Sequence, residues 1–240
     1  MLDHLVPCVT ALWEVRPGIM SVLSPDAEGA PYDSRAAAYD RVVGSALYNR
    51  LLWGASPERY RAFARRAVAA GNRPLLDAGA GSAVFTAGAY AEADRPLLLV
   101  DRSLGMLEAA RNRIADRAGG TLPNSVTLLQ ADANDLPLRD ESIETVLSMG
   151  MLHLFDDVTG HVEELGRVLA PGGRLFAMSL VAAQRLGRVY LWLLHRAGEV
   201  AAPRGFDGIR AAVESGFGAA VDGAREGCMA FFTAKVEDAE

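Results

Sequence analysis

Lysine is almost missing from this chain of 240 residues: Lys235 stands alone, and the other basic residues are arginines. Together with heavy use of alanine, this points to a GC-rich, bacterial genome and says nothing of function. Cysteine is scarce as well. Cys8 and Cys228 lie near opposite ends and neither belongs to a CxxC pair, which excludes a disulfide scaffold and a zinc knuckle and suggests a reducing compartment. No apolar run reaches the roughly 18 to 20 residues that cross a bilayer. The first residues hold Asp3, Pro7 and Pro17 with no early basic residue, so no secretory signal is expected. Positive charge is short too: 24 basic residues face 30 acidic ones, for a net charge of -6. That balance, with no interleaving of basic and aromatic residues, excludes general binding to a phosphate backbone. No pair of His, Cys or acidic residues has metal-ligand spacing, and there is no internal repeat. The expectation is a cytoplasmic protein, monomer or homodimer, with no metal, nucleic acid or membrane partner.

Half of the residues are apolar, enough for a sizeable core in one domain with a modest cap. Residues 1–33, with Pro7, Pro17, Pro25 and Pro31, read as an irregular arm. From Ser34 the apolar residues Tyr39, Val42, Val43, Ala46, Leu47 and Leu51 recur at helical spacing. Ser56-Pro57-Glu58 opens a second helix, running to about Ala70, so 34–72 form a helical cap. From Arg73 strands and helices alternate: strands at 74–77, 97–100, 126–130, 143–148 and 174–180, and helices at 82–93, 103–118 and 157–170. A helix at 184–200 and another near 206–215 precede two short strands joined near Gly227. Such repeated units imply a parallel sheet covered on both faces, with ligands held at the carboxyl ends of its strands.

At the first of those ends stands Leu76-Asp77-Ala78-Gly79-Ala80-Gly81-Ser82-Ala83. Glycines 79 and 81 permit a tight turn and close approach of a ligand to backbone. The sixth position of a dinucleotide fingerprint, GxGxxG, is Val84, whose branched side chain crowds the packing that a third glycine allows. An adenosine ligand without phosphates fits better than a dinucleotide. Asp101, ending the second strand, can hold both hydroxyls of a ribose, or it can cap the helix beside Ser103. Asp132 and the Ala133 amide, after the third strand, can read an adenine edge, or they can form an ordinary turn.

These residues resemble the class I S-adenosylmethionine-dependent methyltransferases, of the small UbiE-like group (methyltransferase domain 11 type). The likeness covers about residues 32–180. It rests on Leu-Leu-Asp-Ala-Gly-Ala-Gly at 75–81, Leu-Val-Asp at 99–101, Gln-Ala-Asp-Ala at 130–133, Ser-Met-Gly-Met-Leu-His-Leu at 148–154 and Arg-Val-Leu-Ala-Pro-Gly-Gly-Arg-Leu at 167–175. The resemblance implies an α/β, Rossmann-like, doubly wound sheet of seven strands, one of them antiparallel. The cofactor-binding domain then spans 73–240; the apolar face of its helix near 184–200 is either core packing or a lid inserted over an acceptor pocket. It implies S-adenosylmethionine as cofactor, with S-adenosylhomocysteine as product. The binding residues it implies are Asp77, Ala78, Gly79, Ala80, Gly81, Asp101, Arg102, Met106, Asp132, Ala133, Ser148 and Met149. Ala83 stands where relatives often carry a third glycine, which implies a slightly tighter loop.

The implied reaction is direct in-line methyl transfer to a small, partly apolar metabolite. The donor brings its own leaving group, so the protein mainly aligns the reactants. His153, just past the fourth strand, is the candidate base or pocket residue, and Tyr32, Tyr39, Tyr190, Trp192 and His195 are candidate substrate contacts. His161, beside Glu163 and Glu164, is expected to face solvent. Two other readings remain: a protein of this fold that uses the bound cofactor as scaffold or for other chemistry, and a nicotinamide-dependent oxidoreductase.

Overall fold

The computed structural model describes residues 12–24 and 45–238. Its centre is one nine-stranded sheet in the order β1-β2-β5-β4-β3-β6-β7-β9-β8. The strands are β1 (Trp13–Arg16), β2 (Ile19–Ser21), β3 (Leu75–Ala78), β4 (Leu97–Asp101), β5 (Val126–Gln130), β6 (Ile143–Met149), β7 (Leu169–Leu180), β8 (Asp222–Glu226) and β9 (Met229–Lys235). β3, β4, β5, β6 and β7 pair in parallel, and β9 is inserted antiparallel between β7 and β8. These seven strands are the expected sheet.

The count of seven is nevertheless two short. Trp13–Arg16 and Ile19–Ser21, within the segment read as an irregular arm, form a hairpin that adds β2 parallel to β5, with β1 antiparallel outside it. The sheet therefore has two antiparallel strands, β1 and β9. The segment hid its strand character because Pro17-Gly18 breaks it into pieces of four and three residues, too short for visible alternation.

Helix α1 (Ala46–Tyr48) runs into a π-helical turn, Asn49–Trp53; then come α2 (Pro57–Val68), α3 (Ala87–Ala91), α4 (Leu104–Arg117), α5 (Val158–Arg167), α6 (Arg185–Arg196) and α7 (Phe206–Phe217). Neighbouring strand residues point to opposite faces, so each central strand feeds two cores. Leu76, Leu98, Val100 and Val146 pack with Val162, Leu165, Ile209 and Val213 of α5 and α7. Leu75, Leu97, Leu99 and Leu147 pack with Tyr60, Phe63, Tyr90, Leu107 and Ile114 of α2, α3 and α4. This double burial is why β3 and β4 read as unbroken apolar runs. At the amino ends of the strands, buried Arg95 donates to the Arg73 carbonyl (2.7 Å), to Glu144 (2.9 Å) and to Thr145 (3.1 Å).

The helix expected over 82–93 is only Ala87–Ala91 long. Ala83 sits in the left-handed region at φ +55°, which a right-handed helix cannot include, so helical winding starts after it. Among the described residues no helix is long and apolar enough to cross a membrane.

Candidate functional site

The glycine turn after β3 is laced to the end of β4. The N–H groups of Gly79 and Ala80 both donate to the Val100 carbonyl at 2.9 Å. The N–H of Gly81 donates to Oδ2 of Asp101 at 2.8 Å, and that of Ser103 to Oδ1 at 2.8 Å. Three alternate residues, Gly79, Gly81 and Ala83, have positive φ. The glycines differ in what faces them. A Cβ on Gly79 would lie 2.3 Å from Sδ of Met151, whereas one on Gly81 would meet nothing within 4 Å. Gly79 therefore makes room for a side chain from the loop after β6, and the open space lies over Gly81.

Asp77 is buried at the end of β3. Its Oδ2 accepts from the Tyr90 hydroxyl at 2.5 Å, and its Oδ1 has no partner in the structure. Burial, helped by the nearby Asp101 carboxylate and opposed by the Tyr90 bond, pushes its pKa up to about 7. The Tyr90 hydroxyl is in turn driven well above its usual range, first by burial. Tyr90 is a site residue that the sequence reading missed; its signal was a lone phenol on the helix that follows the glycine turn. Met151 was missed as well, because its importance lies in contact with Gly79 and not in spacing.

Asp101 holds the turn and the start of α4 together, while Ser103 is the N-cap, accepting from the Met106 N–H through its own Oγ at 3.2 Å. Across the next strand end, Asp132 accepts from the Asn134 N–H at 2.8 Å and faces Arg102 at 3.8 Å. That exposed pair contributes little stability. Ala78, Met106, Ala133 and Ser148 are buried, and Ser148 Oγ lacks a partner. Ala80 and Met149 are half-buried.

His153 lies in the short turn Leu152–Leu154 after β6, where its Nδ1 accepts a long bond, 3.4 Å, from the Leu180 N–H at the end of β7. Burial lowers its pKa to about 4, so the ring is neutral at physiological pH. With Nδ1 accepting, the hydrogen sits on Nε2.

Of the other substrate candidates, Tyr190 packs inward from α6 against Trp53 (5.6 Å between ring centroids) and Tyr48 (6.5 Å). Trp192 points outward and is exposed. His195 Nδ1 bonds the Val200 carbonyl at 3.0 Å, which commits the ring to the end of its own helix. Tyr32 and Tyr39 lie outside the described residues, as does most of the helix expected from Ser34.

His161 corrects an expectation. It is buried, not solvent-facing, with Nδ1 2.8 Å from Asn134 Oδ1 and its ring over Phe155 at 4.5 Å. Burial lowers its pKa to about 4. The neighbouring glutamates, Glu163 and Glu164, misled the reading, for α5 presents His161 with Val158, Val162 and Leu165 on its buried side.

The cap sits on the same rim as the glycine turn. The Cys228 N–H donates to the Trp53 carbonyl at 2.6 Å, and the Ala201 N–H donates to the His153 carbonyl at 3.1 Å. Gly187 brings α6 so close that a Cβ there would lie 2.4 Å from Cys228 Sγ. No group of three or more metal-ligating side chains occurs among the described residues.

Known proteins resemble this chain in sequence and in fold. Residues 76–177 match the family described as methyltransferase domain. Over 154 residues the chain is 36% identical to a demethylmenaquinone methyltransferase of Clavibacter sepedonicus, the match covering 63% of this chain and 57% of that protein. Over 152 residues it is 34% identical to the ubiquinone/menaquinone biosynthesis C-methyltransferase UbiE of Syntrophotalea carbinolica, covering 61% and 58%. The chain thus spans somewhat under three-fifths of the length of these relatives. In fold it resembles a geranyl diphosphate methyltransferase solved in complex with its S-adenosylmethionine, with a TM-score of 0.58, 14% identity and coverage of 90% of this chain and 93% of that one.

Proposed function

Because the chain belongs to the class I S-adenosylmethionine-dependent methyltransferases of UbiE-like type, we propose that it methylates a ring carbon of a small, partly apolar quinone precursor. Its cofactor is S-adenosylmethionine. When bound, that cofactor supplies a methyl group on a sulfonium, which is its own leaving group. The residues at the strand ends fit it. Asp77 offers a buried, unpartnered carboxylate oxygen beside a second carboxylate, Asp101. A cationic ligand relieves that repulsion, whereas a diphosphate would add to it. Open space lies over Gly81, and we assign the carboxylate of Asp101 at the end of β4 to the two hydroxyls of a ribose. We assign Asp132 and Ala133 to the adenine, and Ser148 and Met149 to the sulfonium end.

The observation that carries the reading is this paired-acid, glycine-turn site in a chain whose relatives are named for demethylmenaquinone and for C-methylation. His153 enters as a hydrogen-bond donor. Its Nδ1 already takes the Leu180 N–H, so Nε2–H is left to hold an oxygen of the acceptor. A neutral donor of this kind orients the acceptor; the ring carbon that takes the methyl group releases its hydrogen as a proton to solvent.

The test supplies purified protein with methyl-labelled S-adenosylmethionine and demethylmenaquinone chemically reduced to its hydroquinone, whose ring carbon is nucleophilic, and locates the label by mass spectrometry. Label on a ring carbon is expected. Cofactor binding with no product, or label on an oxygen or nitrogen, overturns the reading. His153→Ala should lower kcat/KM by about tenfold to a hundredfold. With S-adenosylmethionine saturating, kcat/KM for the acceptor should show no ascending limb near the ordinary histidine range, because the ring is already neutral there; such a limb, abolished by the substitution, would make His153 a base.

A further inference from the structure

The cap has two faces, and among the described residues only one of them packs against the fold. Inward, Tyr48, Trp53 and Tyr190 form a trio of rings over Leu191 and buried Cys228. Outward, Leu47 and Leu51 from the first cap turn and Leu186, Val189, Trp192 and Leu193 from α6 are 53% to 71% exposed. The two groups are continuous, because Leu47, Leu51 and Leu186 line one shallow apolar depression with Tyr48 and Leu52. Solvent-exposed apolar side chains scattered singly are ordinary; six on one face are not.

Charge narrows what this face meets. Arg185, Arg188 and Arg196 are exposed on the same side of α6, and Arg50 is exposed beside Leu51. Helix α6 contains no acidic residue; Glu199 comes only after it ends. The whole chain carries a net charge of -6, so this patch runs against the sign of the molecule. Exposed leucine, valine and tryptophan among arginines make a surface that lies in the boundary between headgroups and acyl chains of an anionic bilayer. Two copies of the chain joined through this face would instead set arginine against arginine.

We propose that the outer face of α6, with Leu47, Arg50 and Leu51, docks the protein peripherally on anionic membrane. This is surface association and requires no spanning segment, so the lack of long apolar runs does not bear on it. It goes beyond the methyl-transfer reading and does not depend on it. The cap is stapled to the rim that bears the glycine turn, so docking brings that rim to the lipid, where apolar small molecules reside.

The test floats the full chain with vesicles of phosphatidylglycerol and phosphatidylcholine, and with phosphatidylcholine alone. Flotation with the anionic vesicles only, weakened by salt, is expected. Brominated acyl chains should quench tryptophan fluorescence, and Trp192→Phe should remove most of the quenching, since Trp53 is buried and Trp13 is half-buried in β1 at the far edge of the sheet. Two double variants, Val189→Glu with Leu193→Glu and Arg185→Glu with Arg188→Glu, should each weaken partitioning by about tenfold or more. Calorimetry with S-adenosylmethionine should give unchanged affinity, showing that both variants fold. No flotation with anionic vesicles, or equal flotation of parent and folded variants, overturns the proposal. So does a homodimer that both variants dissociate in the absence of vesicle binding, which would make this face a self-association surface. Vesicle binding is read without any acceptor, so failure of the methylation test leaves this one intact, and the reverse holds.

Discussion

Single residues explain why a glycine pattern was only half informative. Gly79 was legible as a turn residue, as its φ of +79° requires, yet the side chain that packs over its bare Cα, Met151, arrives from a distant loop. Ala83 shows the converse. It adopts φ +55°, a region that costs an L-residue of the order of 1 kcal/mol or more. Ala83→Gly should therefore stabilise the protein by about 0.5–1 kcal/mol in urea unfolding; a loss of stability would mean that the buried methyl group outweighs the strain. Asp77 carries a sharper expectation. Its carboxyl titrates at about 7 in the free protein, and its charged form attracts a cationic ligand. Affinity for S-adenosylmethionine, measured by calorimetry, should rise as pH increases through about 7, and Asp77→Asn should weaken binding and flatten that dependence. A parent affinity that is flat across this range would remove Asp77 from the cofactor site.

Elements were read well where their patterning is long and regular. β4, β5, β6 and α4 lie within two residues of the positions that periodicity predicts, because each is set by burial on known faces. The misses were short or interrupted pieces: the hairpin β1–β2, and α3, cut down by the conformation of one alanine. His161 was misplaced for another reason, since sequence neighbours do not reveal which side of a helix meets the sheet. How α6 attaches was also invisible. It depends on Gly187 lying against Cys228, 41 positions later in the sequence. Gly187→Val should cost about 1–3 kcal/mol by forcing the helix away, and the buried Cys228 thiol should then react faster with a thiol reagent. Unchanged reactivity would show that the helix can shift without opening this contact.

For the whole molecule, buried titrating groups oppose one another. His153 and His161 are held neutral, with pKa values lowered to about 4. Their contribution to stability is present above the unfolded value of about 6.5 and is lost as pH falls through about 4. Asp77 has the opposite sign. Its folded pKa is raised, so its contribution is complete below about 3.8 and is lost as pH rises through about 7. Stability of the cofactor-free protein should therefore climb from about pH 4 to about 6.5 less steeply than two histidines alone would make it. Asp77→Asn should steepen that climb and raise stability near pH 8, while the same change weakens cofactor binding. Urea titrations across this range check both, and an unaltered profile in the variant would rule out a raised Asp77.

The β1–β2 hairpin also sets an order of events during synthesis. Strand β2 pairs with β5, and Ser21 donates to the Gln130 side chain at 2.8 Å across 109 positions of sequence. At the usual rate of translation, roughly 5 to 20 s pass between the emergence of those partners from the ribosome. Strand β2 must wait unpaired on one side until β5 appears, so β5, whose neighbour β4 ends at Asp101 and which itself leads into Asp132, gains its outer partner only once Gln130 has been made.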